Sequence, residues 1–123
     1  MFLTTLLLVT GLGIYPPKNS VFAGKSKFFI GKQNINLSVR SDQDAFINMK
    51  GIVNAEGSVK YIVKDDQTME FVFSEAVSKV LEKFRCKIRH VVYNPTTQIA
   101  RVNLHVYNMI SHTMTLRKQS NVD

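Results

Sequence analysis

Hydrophobic and polar residues alternate along most of the chain, as they do in β-strands that bury one face. The clearest case is the segment 34–40, where Ile35, Leu37 and Val39 fall on the same face of a strand. Other apolar or alternating runs, bounded by polar turn residues, lie at 27–31, 45–53, 58–64, 68–73, 87–93, 98–107 and 110–117. The pattern predicts seven or eight short strands, and the alternation is weakest at 27–31.

The hydrophobic period changes after the run at 68–73. Apolar residues then recur at intervals of three and four, which is one stripe of an amphipathic helix. They are Val77, Val80, Leu81 and Phe84. Ser74 is a suitable N-cap for this helix, and Glu75 follows it at the positive end of the helix dipole. The sequence therefore predicts a single helix over 74–85.

The connections between these predicted elements are about three to five residues long, which favours antiparallel neighbours. Parallel winding would need several crossover helices, and the pattern contains one. The fold prediction is therefore mainly β, an antiparallel meander or small barrel of seven or eight strands with the helix packed on it. This outline resembles the small ligand-binding barrels of the lipocalin and fatty-acid-binding kind at the level of fold. The chain departs from them because it has no Trp for the lipocalin Gly-x-Trp signature, and because its helix falls late.

The start of the chain has the features of a secretory signal peptide. An uncharged apolar run at 2–15 is too short to span a bilayer, and Pro16 and Pro17 end it. Val21 and Ala23 supply small residues where a signal peptidase would read them. We predict a signal peptide over 1–23, a single β-rich domain over 24–123, and a secreted or extracytoplasmic protein. The alternative is that the apolar run forms a first strand or buried helix of the folded domain.

Composition removes several classes of function. The 123 residues include one Cys and no Trp, so an internal disulfide framework and a Cys-rich zinc module are excluded. Common catalytic signatures such as HExxH, GxSxG and the phosphate-binding glycine loops are absent from the sequence. The paired carboxylates Asp42/Asp44 and Asp65/Asp66 lie in predicted turns, where Asp normally bonds backbone groups. The sequence therefore predicts neither an enzyme nor a cofactor.

Three histidines on the last three predicted strands suggest a metal site in one strand register. A two-residue hairpin at 108–109 would place His105 opposite His112, and a four-residue loop at 94–97 would add Cys86 to the same row, which is a credible zinc triplet. A one-residue slip instead pairs Leu104 with Met114 and buries more apolar surface. Hydrophobic matching favours the slipped register, so we predict no metal site.

Aromatic and methionine residues provide the first functional hypothesis. They predict a secreted, non-enzymatic binding protein that holds a lipid-like or other apolar small molecule between sheet and helix. The predicted lining is Phe46, Tyr61, Met69, Phe71, Phe84, Leu104 and Met114. The same residues would equally form a solid hydrophobic core.

Basic residues provide the alternative hypothesis, since the formal net charge is +7. It is a secreted interaction module, such as an inhibitor, effector or adhesion factor, that binds an anionic glycan, a lipid headgroup or a protein. The predicted anion-binding residues are Arg85, Lys87, Arg89, Arg117 and Lys118, with Lys25, Lys27 and Lys32 as a second cluster. A solvated basic face is the simpler interpretation. Nucleic acid and a membrane span are not expected, and Asn36 begins a glycosylation sequon, Asn-Leu-Ser.

Overall fold

A computed structural model of the chain describes residues 15–28, 30–107 and 109–119. Within these residues, eight strands form a closed antiparallel barrel in which neighbours along the chain pair and the last strand pairs with the first. The strands are β1 (Val21–Phe28), β2 (Gly31–Val39), β3 (Asp44–Gly51), β4 (Ala55–Val63), β5 (Thr68–Phe73), β6 (Lys87–Asn94), β7 (Ile99–Val106) and β8 (Ile110–Lys118). A short helix, α1 (Glu75–Lys83), lies between β5 and β6. The predicted fold class is confirmed.

The hydrophobic core fills the interior of the barrel. Every second residue of β2 points inward, and Ile35, Leu37 and Val39 are all buried there. The opposite residues of the strand face solvent, because successive side chains of a strand point to opposite sides. The same alternation on the other strands contributes large buried side chains, including Tyr61 and Tyr93.

The first strand lies earlier in the chain than predicted. The segment 27–31 spans the turn between β1 and β2, and β1 itself begins at Val21. Its apolar pattern is weak because Gly24 occupies an inward position, where most strands of this barrel place a larger apolar residue. A side chain at Gly24 would collide with the Thr115 carbonyl and with Leu116, so the glycine lets β8 approach β1. Gly24 therefore weakens the apolar pattern of β1 and also allows β8 to approach β1 and close the barrel.

The predicted signal-peptide cleavage site lies inside β1. Phe22 is buried, and its ring meets that of Tyr93 edge to face at 5.6 Å. Phe22 pairs with Lys118 and Ala23 pairs with Arg117, and these pairs join β1 to β8. The cut after Ala23 stays a prediction, and it would remove these contacts from the barrel. Residues 1–14 of the predicted signal lie outside the described residues.

Helix α1 packs on β4 through its apolar stripe. The Ser74 hydroxyl accepts a hydrogen bond from the backbone N–H of Val77, as expected for an N-cap. Val77 and Leu81 are buried. A Cβ atom at Gly57 of β4 would lie only 2.6 Å from Val77 Cγ2, so this glycine permits the close approach of helix and strand. Among the described residues, no helix is both long and apolar enough to cross a membrane.

Candidate anion-binding surface

Four of the residues predicted to line an apolar cavity are instead packed in the core. Leu104, Met114, Tyr61 and Met69 are at most 4% exposed. The Tyr61 hydroxyl donates a hydrogen bond of 2.6 Å to the Ser41 carbonyl. Burial, together with nearby Asp42, raises the pKa of this hydroxyl. The sequence was compatible with either a ligand cavity or a solid hydrophobic core, and these four residues form part of a solid core.

The other three predicted lining residues occupy different surroundings. Phe71 and Phe84 are half-buried at the edge of the core. Phe46 points to the outside of β3, where the guanidinium of Arg40 lies 5.1 Å from the centre of its ring. The structure therefore does not bring Phe46 together with the other six residues around one space.

The pairing between β5 and β6 is short. These strands pair at only two positions, Thr68 with Val92 and Met69 with Val91. The rest of β5, residues 70–73, has no paired partner on β6 within the described part of the chain. A bulge between Arg89 and Val92 interrupts β6 beside this opening. Half-buried apolar side chains belong to these unpaired strand segments: Phe71 and Phe73 of β5 and Ile88 of β6.

The histidines do not assemble around Cys86. Leu104 pairs with His112 and His105 pairs with Ser111, so His105 and His112 are on opposite faces of the sheet. The face predicted from hydrophobic matching is right, but each pair is shifted by two residues along β8, so that Val102 rather than Leu104 meets Met114. Within the described ranges, no group of three or more His, Cys, Asp or Glu is placed to hold a metal ion.

The single cysteine, Cys86, is expected to be unreactive in the folded protein. Cys86 is buried at the start of β6, and burial raises the pKa of its thiol to about 11. A thiol with a raised pKa is a poor nucleophile at neutral pH, because the thiolate is the reactive form. The position fits a core residue.

The predicted anion-binding residues form two groups at opposite ends of the barrel. Arg85 follows α1, and Lys87 and Arg89 lie on the outer face at the start of β6. Arg117 and Lys118 lie at the end of β8. Through the strand pairing Arg89 is level with Thr113, so Arg117 is about 13 Å further along the barrel at roughly 3.3 Å per residue. Lys118 is half-buried, and it points to the opposite side of β8 from Arg117.

Arg101, which is not among the residues predicted to bind an anion, connects these two groups. It is exposed on the outside of β7, and it pairs with Val92 of β6 and Thr115 of β8. Arg89, Arg101 and Arg117 therefore form a diagonal stripe across three adjacent strands. Alternation along β7 alone places Arg101 on the polar face of its strand, and the stripe emerges only from the register between strands.

The sequence does carry a signal for this surface in the positions of its acidic residues. Eight of the nine Asp and Glu lie between positions 42 and 82. The segments 1–41 and 83–119 contain no acidic residue, although they carry twelve of the sixteen Lys and Arg. The described parts of these segments form β1, β2, β6, β7 and β8, which are contiguous around the closed barrel. We refer to the outer surface of these five strands as the acid-free face.

Lysines on the acid-free face lie close together on the β1–β2 hairpin. Lys27 is directly opposite Lys32. Lys25 of β1 and Lys50 of β3 are both opposite Asn34 of β2, so they flank one exposed amide. Two clefts lie here, one of about 330 Å³ that includes Lys25 and Lys50, and one of about 230 Å³ that includes Lys27 and Lys32.

The segment 42–82 is net negative, because it holds eight acidic and four basic residues. Lys64 lies 3.4 Å from Glu70, and Lys79 lies 3.2 Å from Glu75. These pairs are exposed and contribute little stability, about 0–1 kcal/mol each. Each pair cancels the charge of its own lysine, whereas the segments that form the acid-free face hold no carboxylate up to position 119. The basic charge of the chain is therefore concentrated on one side of the barrel.

The predicted glycosylation site also falls on this face. Asn36 is exposed on the outside of β2, between Ala23 of β1 and Asn48 of β3. It contributes to the cleft that Lys25 and Lys50 line. A glycan at Asn36 would therefore occupy that cleft in place of a free sugar.

Comparison of the chain with protein-family models, with curated proteins and with solved structures finds no match.

Proposed function

We propose that this protein binds polyanionic glycans through the acid-free face. The observation that supports the proposal is the segregation of charge: the acid-free segments hold three quarters of the basic residues, and their strands are contiguous around the barrel. A surface with one sign of charge attracts a polymer of the opposite sign and speeds its encounter. The proposal takes up the predicted basic interaction surface, and it includes Arg101 and the lysines of the β1–β2 hairpin.

Among polyanions, a glycan fits the outer side chains better than a nucleic acid does. Single-stranded nucleic acids are bound by basic grooves that also offer aromatic side chains for base stacking. Among the described residues, the outward positions of the five strands hold no Phe or Tyr, and they carry Asn, Ser and Thr between the basic residues. Amides and hydroxyls can hydrogen-bond sugar hydroxyls.

Heparin chromatography with charge-matched variants tests the proposal. One variant neutralises the acid-free face through Lys25→Gln, Lys32→Gln and Lys87→Gln. Its control, Lys60→Gln, Lys64→Gln and Lys79→Gln, loses the same charge from the rest of the surface. We expect the wild type to remain bound well above physiological ionic strength. The face variant should bind heparin about tenfold more weakly, since three exposed ionic contacts of ~0.5 kcal/mol each are lost.

The control decides between a binding surface and general electrostatics. If the control variant elutes as the wild type does, the location of the charge matters and the proposal is supported. Equal weakening of both variants, or elution of the wild type at low salt, would show that net charge alone governs retention and would refute it.

The opening between β5 and β6 favours a second candidate function, the binding of an apolar small molecule. The half-buried side chains of Phe71, Phe73 and Ile88 border this opening, and behind it lie the buried Met69 and Leu104. An apolar ligand would enter here by displacing side chains, rather than by filling the centre of the barrel.

Displacement of a fluorescent fatty acid tests this second function. Phe71→Asp should abolish binding of the fatty acid, because it places a charge at the opening. Val72→Asp on the same strand should leave binding unchanged, because Val72 is exposed on the outer face. Failure of the wild type to bind the fatty acid, together with an absence of lipid in organic extracts of protein from its own host, would exclude the function.

A further inference from the structure

The cleft across β1, β2 and β3 has the side chains of a sugar-binding subsite. Its volume is about 330 Å³, and it is lined by Ala23, Gly24, Lys25, Asn34, Asn36, Asn48, Lys50 and Gln119. Two lysines and four amide side chains converge on it, and no carboxylate of the described residues lines it. We propose that this cleft binds one anionic sugar unit of the glycan, and this inference rests on the proposed function.

The strand register places the cationic groups on either side of one amide. Lys25, Asn34 and Lys50 form a row across three neighbouring strands. At about 4.8 Å between strands, the Cα atoms of the two lysines are roughly 10 Å apart. Flexible lysine stems can converge from that separation on an oxyanion held above Asn34. Bonds from two ammonium groups to one oxyanion are charge-assisted, and they are stronger than bonds between neutral groups.

The adjacent row provides neutral contacts for sugar hydroxyls. It consists of Ala23, Asn36 and Asn48, again on three neighbouring strands. Ala23 has the smallest side chain in the row, so the floor of the cleft is low beside the two amides. Amides both donate and accept hydrogen bonds, as a ring of hydroxyl groups requires. The Asn34–Lys50 row and this row are neighbours along the strands, so one sugar ring can contact both.

Charge also orients the bound sugar. Glu56 of β4 lies beyond Asn48 and accepts a hydrogen bond of 3.1 Å from the Asn48 amide. Its carboxylate repels an anion at that edge of the cleft. The charged substituent therefore lies towards Lys25 and Lys50, and the uncharged side of the ring lies towards Asn48.

A buried glutamine holds the backbone of this site. Gln33 is fully buried, and its side-chain Nε2 donates to the carbonyls of Asn34 at 3.0 Å and Lys50 at 3.2 Å. The same side chain bonds both backbone groups of Val53, at 2.8 and 3.0 Å. Gln33 is thus a positioning residue, because it ties β2 to β3 directly beneath the Lys25–Asn34–Lys50 row.

Titration calorimetry with small ligands tests the subsite separately from the whole face. The ligands are a sulfated heparin disaccharide, its desulfated counterpart, glucose 6-phosphate and glucuronic acid, and these distinguish sulfate, phosphate and carboxylate as the charged group. The site variant is Lys25→Gln with Lys50→Gln. The control is Lys60→Gln with Lys64→Gln, which loses the same charge from the surface outside the acid-free face.

We expect the wild type to bind at least one anionic sugar, and the site variant to bind it at least tenfold more weakly. The control should bind as the wild type does, and Asn36→Ala should weaken binding without removing charge. If the wild type is retained on heparin but the site variant binds the sugars unchanged, the subsite is wrong and the proposed function stands. Binding of uncharged glucose as tight as that of the anionic sugars would also overturn the subsite. Loss of heparin retention in the wild type is the separate result that refutes the function itself.

Discussion

Replacement of Gln33 by leucine is expected to destabilise the barrel in spite of the more hydrophobic side chain. Gln33 is fully buried and satisfies the N–H and the carbonyl of Val53, which is itself fully buried. Leucine leaves both groups without these partners, at about 1–3 kcal/mol each. The apolar side chain returns about 2 kcal/mol through burial. The net expectation is a loss of about 2 kcal/mol in the free energy of unfolding.

Urea unfolding followed by circular dichroism measures this loss, with Gln43→Leu as the control. Gln43 is exposed in the turn between β2 and β3, so its replacement should change stability by less than about 0.5 kcal/mol. The Gln33→Leu variant should also bind the sugar ligand more weakly, because the Lys25–Asn34–Lys50 row loses its support. A Gln33→Leu protein as stable as the wild type would refute the assignment of these buried hydrogen bonds.

The pH dependence of a Gln33→Glu variant provides an independent check. A carboxylate there would face the carbonyl oxygens of Val53, Asn34 and Lys50 and could donate no hydrogen bond to them. Burial would raise the pKa of the introduced carboxyl group above its unfolded value of about 4.3. The neutral form is favoured in the folded state, so the variant should be most stable below that unfolded pKa and lose stability as pH rises through the folded pKa. A flat difference in stability from the wild type between about pH 4 and pH 8 would contradict the burial of this side chain.

Three further outcomes follow from the packing. At about pH 8, Cys86 should resist alkylation by iodoacetamide in the native protein and react in urea, as read by mass spectrometry, and rapid alkylation of the native protein would contradict its burial. Because burial raises the pKa of this thiol to about 11 from 9.0, the stability of the protein should also fall as pH rises from 9 to 11. Gly57→Val should lower the melting temperature more than the control Ser58→Val does, because a side chain at position 57 meets Val77 and Ser74 whereas Ser58 is on the exposed face of β4. Equal melting temperatures of the two variants would contradict the close packing of α1 on β4. A chain that begins at Gly24 should be less stable than one that begins at Tyr15, because it lacks the buried ring of Phe22. The loss of Phe22 alone should lower the free energy of unfolding by about 3–5 kcal/mol. Equal urea midpoints for the two chains would show that the barrel does not need the residues up to Ala23.

The candidate site was only partly predictable because it depends on register. The sequence identified Lys25, Lys27 and Lys32 as a basic cluster, and the structure places them on one hairpin. Lys50 and Arg101 join the surface only through pairing with β2 and with β6 and β8. The structural role of Gln33 could not be predicted either. A polar residue at an inward position interrupts the apolar pattern, and its role becomes clear only from its hydrogen-bond partners on β3 and in the following loop.

The alternation of apolar and polar residues was sufficient to predict a mainly antiparallel β-sheet, and the change of period at Ser74 was sufficient to predict a helix there. Both are local properties, because side-chain direction in a strand or helix repeats over a few residues. Closure of the barrel, the packing of Phe22 and the merging of two acid-free segments into one face join opposite ends of the chain, as in the pairing of Phe22 with Lys118. Tertiary structure alone decided these features, because which strands become neighbours is set by packing of the whole core and not by any one segment.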